Sequence, residues 1–546
     1  MLQVVGLLHR SANGGERPRA LRSGGFHWHV LPAGDDLFGE AGPDLDGWRR
    51  EAIKAGLQRT IERADLPGGA VAVKRSRVNG PRAWWREIFR GSKSELEFEN
   101  ARALRARGLA AVEPLAWARA HPFLPSQSVY LSRFTDSAPL QDYLERGTDY
   151  DRRSLARELG RTLARMHDAG VAHPDPHPGN LLVSFEGERP TFALIDLHAI
   201  HIGAPLSWAE SLDNLVLFNR YFALRASRTD RLAFWLAYVA ARTTLPSADS
   251  ATMAKDVERR TAISNARFWN HRLDRYQKTN RQYRRVPGGH AVKELPEEFV
   301  KALIADPDAP FRDPAAKVLK DSRSSTVIEL AVPTPTGMAV AIYKRFRIKS
   351  PTVLLKNLLR TSSAMRSWTY GHNLLDRGLP TARPLLVLHR RRHGCPAEGY
   401  LLTERVPDAR DLTAAVADGP HRAWADSFGR LIRLMHDKQV AHRDLKAPNI
   451  LLSGDGPDAL PVLIDLVGVV PGKPVSRDLR MRNLARLNAS FVNVPAVTRT
   501  DRLRFLRAYL AWGLHGSAGW KDWWNGVARA TEAKVAKNAR SGRPLA

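Results

Sequence analysis

Two short polar loops in this 546-residue chain place a carboxylate, an amide and a second carboxylate at one repeated spacing. In VAHPDPHPGNLLV they are Asp175 and Asn180, followed by Asp196 at the end of the apolar run FALIDLH. In VAHRDLKAPNILL they are Asp444 and Asn449, followed by Asp465 in PVLIDLV. The gap from amide to second acid is identical, 196 − 180 = 16 and 465 − 449 = 16. A loop aspartate suits orienting an attacking hydroxyl and accepting its proton. The amide and second aspartate offer hard oxygen ligands for Mg²⁺ bridging the phosphates of ATP. Upstream of each set, Lys74 in AVAVK and Lys344 in MAVAIYK supply a cation for the α and β phosphates, and Lys446 adds a phosphate contact to the second loop. Together these groups suit phosphoryl transfer from ATP to a hydroxyl.

A different chemistry is open to the first loop alone, where His173, Asp175 and His177 alternate as transition-metal ligands of a hydrolase do. The second loop argues against it, because Lys446 stands where the first has His177. His173 and His442 are read as structural residues of their loops.

The elements that must position these residues are repeated too. RMHDAGVAH returns as LMHDKQVAH at 442 − 173 = 269, and RTDRLAFWLAY returns as RTDRLRFLRAY at 499 − 228 = 271. Such self-similarity over a whole domain's length marks a tandem duplication. Each copy starts with short Val- and Ile-rich runs bounded by Gly or Pro, which read as strands. Helical periodicity follows, with Leu155, Leu159, Leu163 and Met166 on one face and Trp424, Phe428, Ile432 and Met435 repeating them. The expected fold is α+β: two bilobal units, each a small β-rich lobe followed by a larger helical lobe. We expect an N-terminal extension over 1–40, a first domain over 41–290 and a second over 300–546, with a boundary near 295 where Gly288, Gly289 and several prolines interrupt the pattern.

Composition bounds the setting. Lys and Arg total 84 against 56 Asp and Glu, a formal charge of +28, which implies an anionic partner. A membrane surface, a phosphorylated glycolipid and nucleic acid all satisfy that field. The single cysteine, Cys395, excludes an intrachain disulfide and points to a reducing compartment. The opening MLQVVGLLHRSANGG is too short in apolar run for a signal peptide, and no stretch approaches the length of a spanning helix.

The order H-x-D, then Asn five residues after the Asp, then an apolar strand delivering another Asp, is the catalytic-loop and metal-loop pattern of protein kinases. More specifically, the chain resembles the lipopolysaccharide core kinases, the Kdo and heptose kinases. The stretches WWREIFRGSKSELEFENARALRARGLAAVEPLA and LLKNLLRTSSAMRSWTYGHNLLDRGLPTARPLL, with FALIDLH and YLLTERVPD, carry that resemblance. It implies transfer of the ATP γ-phosphate to a sugar hydroxyl of the lipid A–core glycolipid, by a cytoplasmic enzyme held peripherally on the inner membrane. It also implies a helix glutamate partner for the lysine. Counting back from Gly108 and Gly378, that position holds Glu97 in the first copy and Ser367 in the second. The loop position before the base is Pro174 in the first copy and Arg443 in the second, and Gly68 and Gly69 are the candidates for a phosphate loop. Two other readings stand beside this one. The HRDLKAPN string suits a protein kinase, and the missing glutamate suits a nucleotide-binding scaffold without catalysis.

Overall fold

The computed structural model describes residues 17–56, 59–146, 151–245, 249–334, 337–347, 361–392, 395–416, 421–511 and 519–542. The N-terminal run read for a signal peptide and residues 354–360 of the second copy's resemblance lie outside these. The chain forms two compact units that divide after Thr261.

The first unit opens with a seven-stranded antiparallel sheet in the order β1-β2-β6-β7-β5-β4-β3. Its strands are β1 (Arg19–Ser23), β2 (Phe26–Val30), β3 (Arg50–Ala55), β4 (Arg59–Leu66), β5 (Gly69–Ser76), β6 (Pro114–Arg119) and β7 (Ser128–Arg133). Alternation along β5 decides which side chain faces the chemistry. Val71 and Val73 enter a core cluster with Val129 and Leu131, so Lys74 projects from the other face. Three helices accompany the sheet: α1 (Pro32–Phe38), α2 (Pro81–Arg90) and α3 (Lys93–Ala106). Ser92 caps α3 by accepting from the Glu95 amide. At the other end Gly108 adopts φ 71°, and the Leu109 amide reaches back to the Leu104 carbonyl at 3.1 Å, a Schellman closure that needs the glycine.

The helical lobe of this unit is built on the helix Arg152–Asp168, packed against Arg228–Ala241. The predicted stripe Leu155, Leu159, Leu163 and Met166 is buried in its core, together with Leu181, Leu194 and Tyr238.

The second unit repeats the plan. Strands Tyr283–Val286, Gly289–Val292, Pro384–Arg392, Cys395–Glu404, Gly337–Phe346, Ser325–Thr334 and Val318–Asp321 neighbour one another in that order, the same strand order as the first sheet. Trp424, Phe428, Ile432 and Met435 fill its helical core as expected.

Two expected boundaries are corrected. Residues 19–38, assigned to an extension, form β1, β2 and α1, because His27–Val30 pair with Ala116–Arg119 and so belong to the sheet. Gly288 and Gly289, expected at the end of the first domain just before a boundary near 295, form the turn of a hairpin in the second sheet, with Val286 opposite Gly289. That hairpin docks on the later strand through Gly289–Ala291 against Leu386–Leu388. A Cβ on Gly289 would stand 1.8 Å from the Val387 carbonyl oxygen, so the glycine is there for close approach between strands.

Candidate functional site

In the first unit the loop holding Asp175 is fixed from beneath by a buried polar network. The His167 ring lies 2.8 Å from the Tyr238 hydroxyl and 3.1 Å from Asn214 Oδ1, and Asn214 Nδ2 donates to the His173 carbonyl at 2.6 Å. Burial lowers the His167 pKa to about 4, so the ring is neutral. The second unit uses the same residue types, the His436 ring against the Tyr509 hydroxyl and Asn483 Oδ1, but there Asn483 Oδ1 accepts from the His442 amide. The sequence repeat contained these residues, but reading it for chemistry passed over them.

Above this base, the His173 ring accepts from the Asp175 amide at 3.1 Å, and His442 treats Asp444 the same way, so both histidines shape their loops as expected. Asn180 Nδ2 donates to the Asp175 carbonyl at 2.9 Å. The hairpin pairing Leu181 with Leu194 sets Asn180 and Asp196 at one end, and the Ile195 amide closes on the Asn180 carbonyl at 3.0 Å. In the second unit the Ile464 amide does this with Asn449 at 2.9 Å. Asp196 and Asp465 both take left-handed backbone angles, φ 61° and 54°, a strained state for a non-glycine residue.

The first unit joins its two lobes through charge. Lys74 Nζ lies 2.5 Å from Glu97 Oε1, both side chains buried, and the ammonium also faces the Tyr130 ring at 5.6 Å. A residue not singled out in the sequence completes the set. Arg59, at the start of β4, donates to Glu97 Oε2 at 2.7 Å and to Asp196 Oδ1 at 2.6 Å. His198 Nδ1 also meets Asp196 Oδ1, at 2.8 Å. Burial works against the Asp196 carboxylate, yet the His198 hydrogen bond and the Arg59 charge outweigh it and hold its pKa well below the usual carboxylate range. Glu97, Asp196 and His198 converge closely enough to share one cation.

The second unit brings together fewer groups. Ser367 is buried at the glutamate position, and Lys344 Nζ lies 3.1 Å from Asp465 Oδ1. Burial again opposes ionisation of Asp465, and the Lys344 charge turns the balance toward the carboxylate. Lys446 Nζ is 3.5 Å from Asp444 Oδ2, and Asn449 Nδ2 donates to the Asp444 carbonyl at 2.8 Å. Gly68 belongs to the tight turn between β4 and β5, where Leu66 pairs with Gly69.

The donor set suits a hard divalent ion: in each unit the Ile195–Asn180 or Ile464–Asn449 contact brings an asparagine and an aspartate to the same end of one hairpin, and the aspartate faces a cation, Arg59 in the first unit and Lys344 in the second. Such a site can hold nucleotide phosphates against a loop aspartate.

A model of the "Lipopolysaccharide kinase (Kdo/WaaP) family" matches residues 81–238 and again 348–509. A 3-deoxy-D-manno-octulosonic acid kinase of Haemophilus influenzae (strain 86-028NP) is 33% identical over 136 residues, 24% of this chain and 55% of that protein. The enzyme of the same name from Xanthomonas campestris pv. campestris (strain B100) is 38% identical over 176 residues, 31% of this chain and 67% of that protein. The chain thus spans about half the length of the Haemophilus relative. Among solved structures, WaaP in complex with acyl carrier protein is 18% identical, covering 44% of this chain and 98% of that one at a TM-score of 0.33.

Proposed function

The chain belongs to the lipopolysaccharide kinase (Kdo/WaaP) family, and from that premise we propose that it transfers the γ-phosphate of ATP to a sugar hydroxyl of the lipopolysaccharide core or a related anionic glycolipid. The observation that carries this reading is the continuous charged link Lys74–Glu97–Arg59–Asp196 across the two lobes of the first unit. It holds a lysine, a metal-loop acid and, through the Ile195–Asn180 contact, the loop of Asp175 in one register. Preorganised charge of this kind is the main catalytic resource in phosphoryl transfer.

In this reading Asp175 orients the acceptor hydroxyl and takes its proton. Lys74, fixed by Glu97, neutralises the α and β phosphates. Asn180 and Asp196 would hold Mg²⁺, which when bound shields the developing phosphate charge. Asp444, Lys344, Lys446, Asn449 and Asp465 are the corresponding set of the second unit. The relatives' names favour a 3-deoxy-D-manno-octulosonic acid hydroxyl as acceptor. A lipid-linked acceptor sits at a membrane, and no helix among the described residues is long and apolar enough to cross one. We therefore read the protein as a peripheral enzyme of the cytoplasmic face, drawn there by its +28 charge.

The test is phosphate transfer from labelled ATP to purified lipopolysaccharide and to a generic protein substrate, with and without Mg²⁺. Transfer to lipopolysaccharide alone, and only with Mg²⁺, is expected. Preference for the protein substrate overturns the acceptor, and no transfer to either leaves a nucleotide-binding scaffold.

A further inference from the structure

Helix α2, between the strand of Lys74 and the helix of Glu97, is amphipathic in the reverse sense for a soluble protein. Ala83 and Glu87, four residues apart, are its only partly buried positions, and every other residue of Pro81–Arg90 is exposed. At 100° per residue, Trp84, Trp85, Ile88 and Phe89 form one continuous outward arc. Trp85 is 56% exposed and Phe89 71%. The three rings touch in series, Trp84 meeting Trp85 edge to face with centroids 5.3 Å apart and Trp85 stacking with Phe89 at 6.0 Å. Beside the arc, Arg82, Arg86 and Arg90 make an exposed basic stripe at i, i+4 and i+8. The turn between β6 and β7 lies against the start of this helix, since Trp84, Gly80 and Pro81 line a cavity with Pro125, Ser126 and Gln127. That turn adds Phe123, 87% exposed, and Leu124 to the apolar surface.

We propose that α2 and the β6–β7 turn form a membrane-docking face that inserts Trp84, Trp85, Ile88, Phe89 and Phe123 into an anionic bilayer surface, with Arg82, Arg86 and Arg90 at the headgroups. Trp and Phe on one face and arginines beside them are the composition of a helix that lies in the interfacial plane. The arginines complement an acidic leaflet, and their stems extend along the apolar arc while the guanidinium groups stay in water. A protein groove would ask for the same apolar arc without needing three arginines aligned beside it.

Two further observations favour this face over the basic stretch HRLDRYQKTNRQYRR. In that stretch Arg272 pairs with Asp376 and Arg284 donates to the Leu295 carbonyl, so part of its charge holds its own unit together. And the sequence PTVLLKNLLR at 351–360, outside the described residues, repeats the pattern of PRAWWREIFR at an offset of 270, with Leu354, Leu355, Leu358 and Leu359 at the four apolar positions and Lys356 and Arg360 at two basic ones.

Docking here deepens the proposed action on a lipid-linked acceptor, because the helix joins directly the two elements that carry Lys74 and Glu97. The test separates the two claims by using vesicles of phosphatidylethanolamine and phosphatidylglycerol that contain no glycolipid and no ATP. The parent protein should sediment with them at low salt and at least tenfold less with phosphatidylcholine vesicles. Trp85→Ser with Phe89→Ser should lower partitioning tenfold or more, and Arg82→Gln with Arg86→Gln should remove the preference for anionic lipid. Both pairs are exposed, so the melting temperature should not change. A polarity-sensitive dye on Phe89→Cys, in a Cys395→Ser background, should shift to the blue with anionic vesicles only. Parent-like vesicle binding by Trp85→Ser/Phe89→Ser overturns the proposal, and so does a dye shift that follows self-association in light scattering without vesicles. Transfer to a delipidated core oligosaccharide should be unchanged in the aromatic variant; its loss there would assign α2 to the active site instead.

Discussion

The two units use one backbone plan and two electrostatic arrangements. In the first, Lys74, Glu97, Arg59 and Asp196 alternate in sign across the cleft between the lobes. In the second, Lys344 and Asp465 are what remains of this chain of charges among the described residues. Strand register identifies what changed. Arg59 lies two residues before Ile61, the partner of Lys74, and Ser325 lies two before Val327, the partner of Lys344. The acid and the extra base have thus both become serine, at Ser367 and Ser325. Losing the acid alone would leave two cations, Lys74 and Arg59, facing the single carboxylate of Asp196, with the buried lysine losing its partner, whereas losing both keeps the charges balanced. The second unit is therefore a self-consistent alternative. Its lysine is also less firmly enclosed: the Lys344 side chain is 21% exposed against 10% for Lys74. Balance explains why the second fold survives the change, and under the proposed function looseness argues for slower phosphate transfer by that unit.

The strongest way to break this comparison is to remove each loop base separately. Asp175→Asn should lower phosphate transfer to the glycolipid at saturating ATP by roughly 10²–10⁴-fold, the usual worth of a positioned general base. Asp444→Asn should cost far less. A larger loss from Asp444→Asn would reverse the assignment of the active unit. Asp196→Ala combined with Asp465→Ala should abolish turnover, since both metal loops then lack a carboxylate.

Converting one unit toward the other sharpens the point. Glu97→Ser should reduce kcat by about 10–100-fold with a smaller change in the KM for ATP, because the lysine is present but no longer held in place. It should also destabilise the first unit by about 1–3 kcal/mol, as Arg59 and Lys74 lose a shared partner. In the second unit, Ser367→Glu alone buries a carboxylate with one cation near it. Adding Ser325→Arg should recover part of the lost melting temperature, a coupling of about 1 kcal/mol in a double-mutant cycle. Purely additive effects would show that the serines are not an exchanged ion pair.

What was legible in the sequence follows from how local each feature is. The loops of Asp175 and Asp444, the hairpin ends of Asp196 and Asp465, the strand lysines and the glutamate position are set by short-range spacing, and Gly108 and Gly378 fixed the count because each closes its helix with a positive φ. Arg59 was invisible for the opposite reason, since its reach to Asp196 depends on how β4 pairs with β5. The hairpin over 283–292 was assigned to the end of the first domain because its partner strand, Pro384–Arg392, lies far along the chain. Gly and Pro mark a turn in either case. The outward arc of α2 was equally hidden, because amphipathicity in a sequence does not say which face meets solvent.

The smallest expected effect concerns what the units share. His167 and His436 are each buried beside a tyrosine hydroxyl and an asparagine, and burial lowers their pKa values to about 4 and about 3. In the unfolded chain a histidine titrates near 6.5. As pH falls from about 6.5 toward 4, the unfolded state therefore gains protons that the folded state does not take up, and stability declines. The slope is at most about 1.4 kcal/mol per pH unit for each ring, or roughly 2–4 °C per kcal/mol in units of this size. Melting curves at pH 7.5, 6.5 and 5.5 should show both units losing a few degrees together below pH 6.5 and neither changing above it. Replacing His167 with Asn should reduce the response of the first unit, in which burial also lowers His29, His173 and His177, while leaving that of the second intact. If only one unit responds in the parent protein, the buried rings are not equivalent, and the difference between the copies reaches below the charged cleft into the base that holds the catalytic loop.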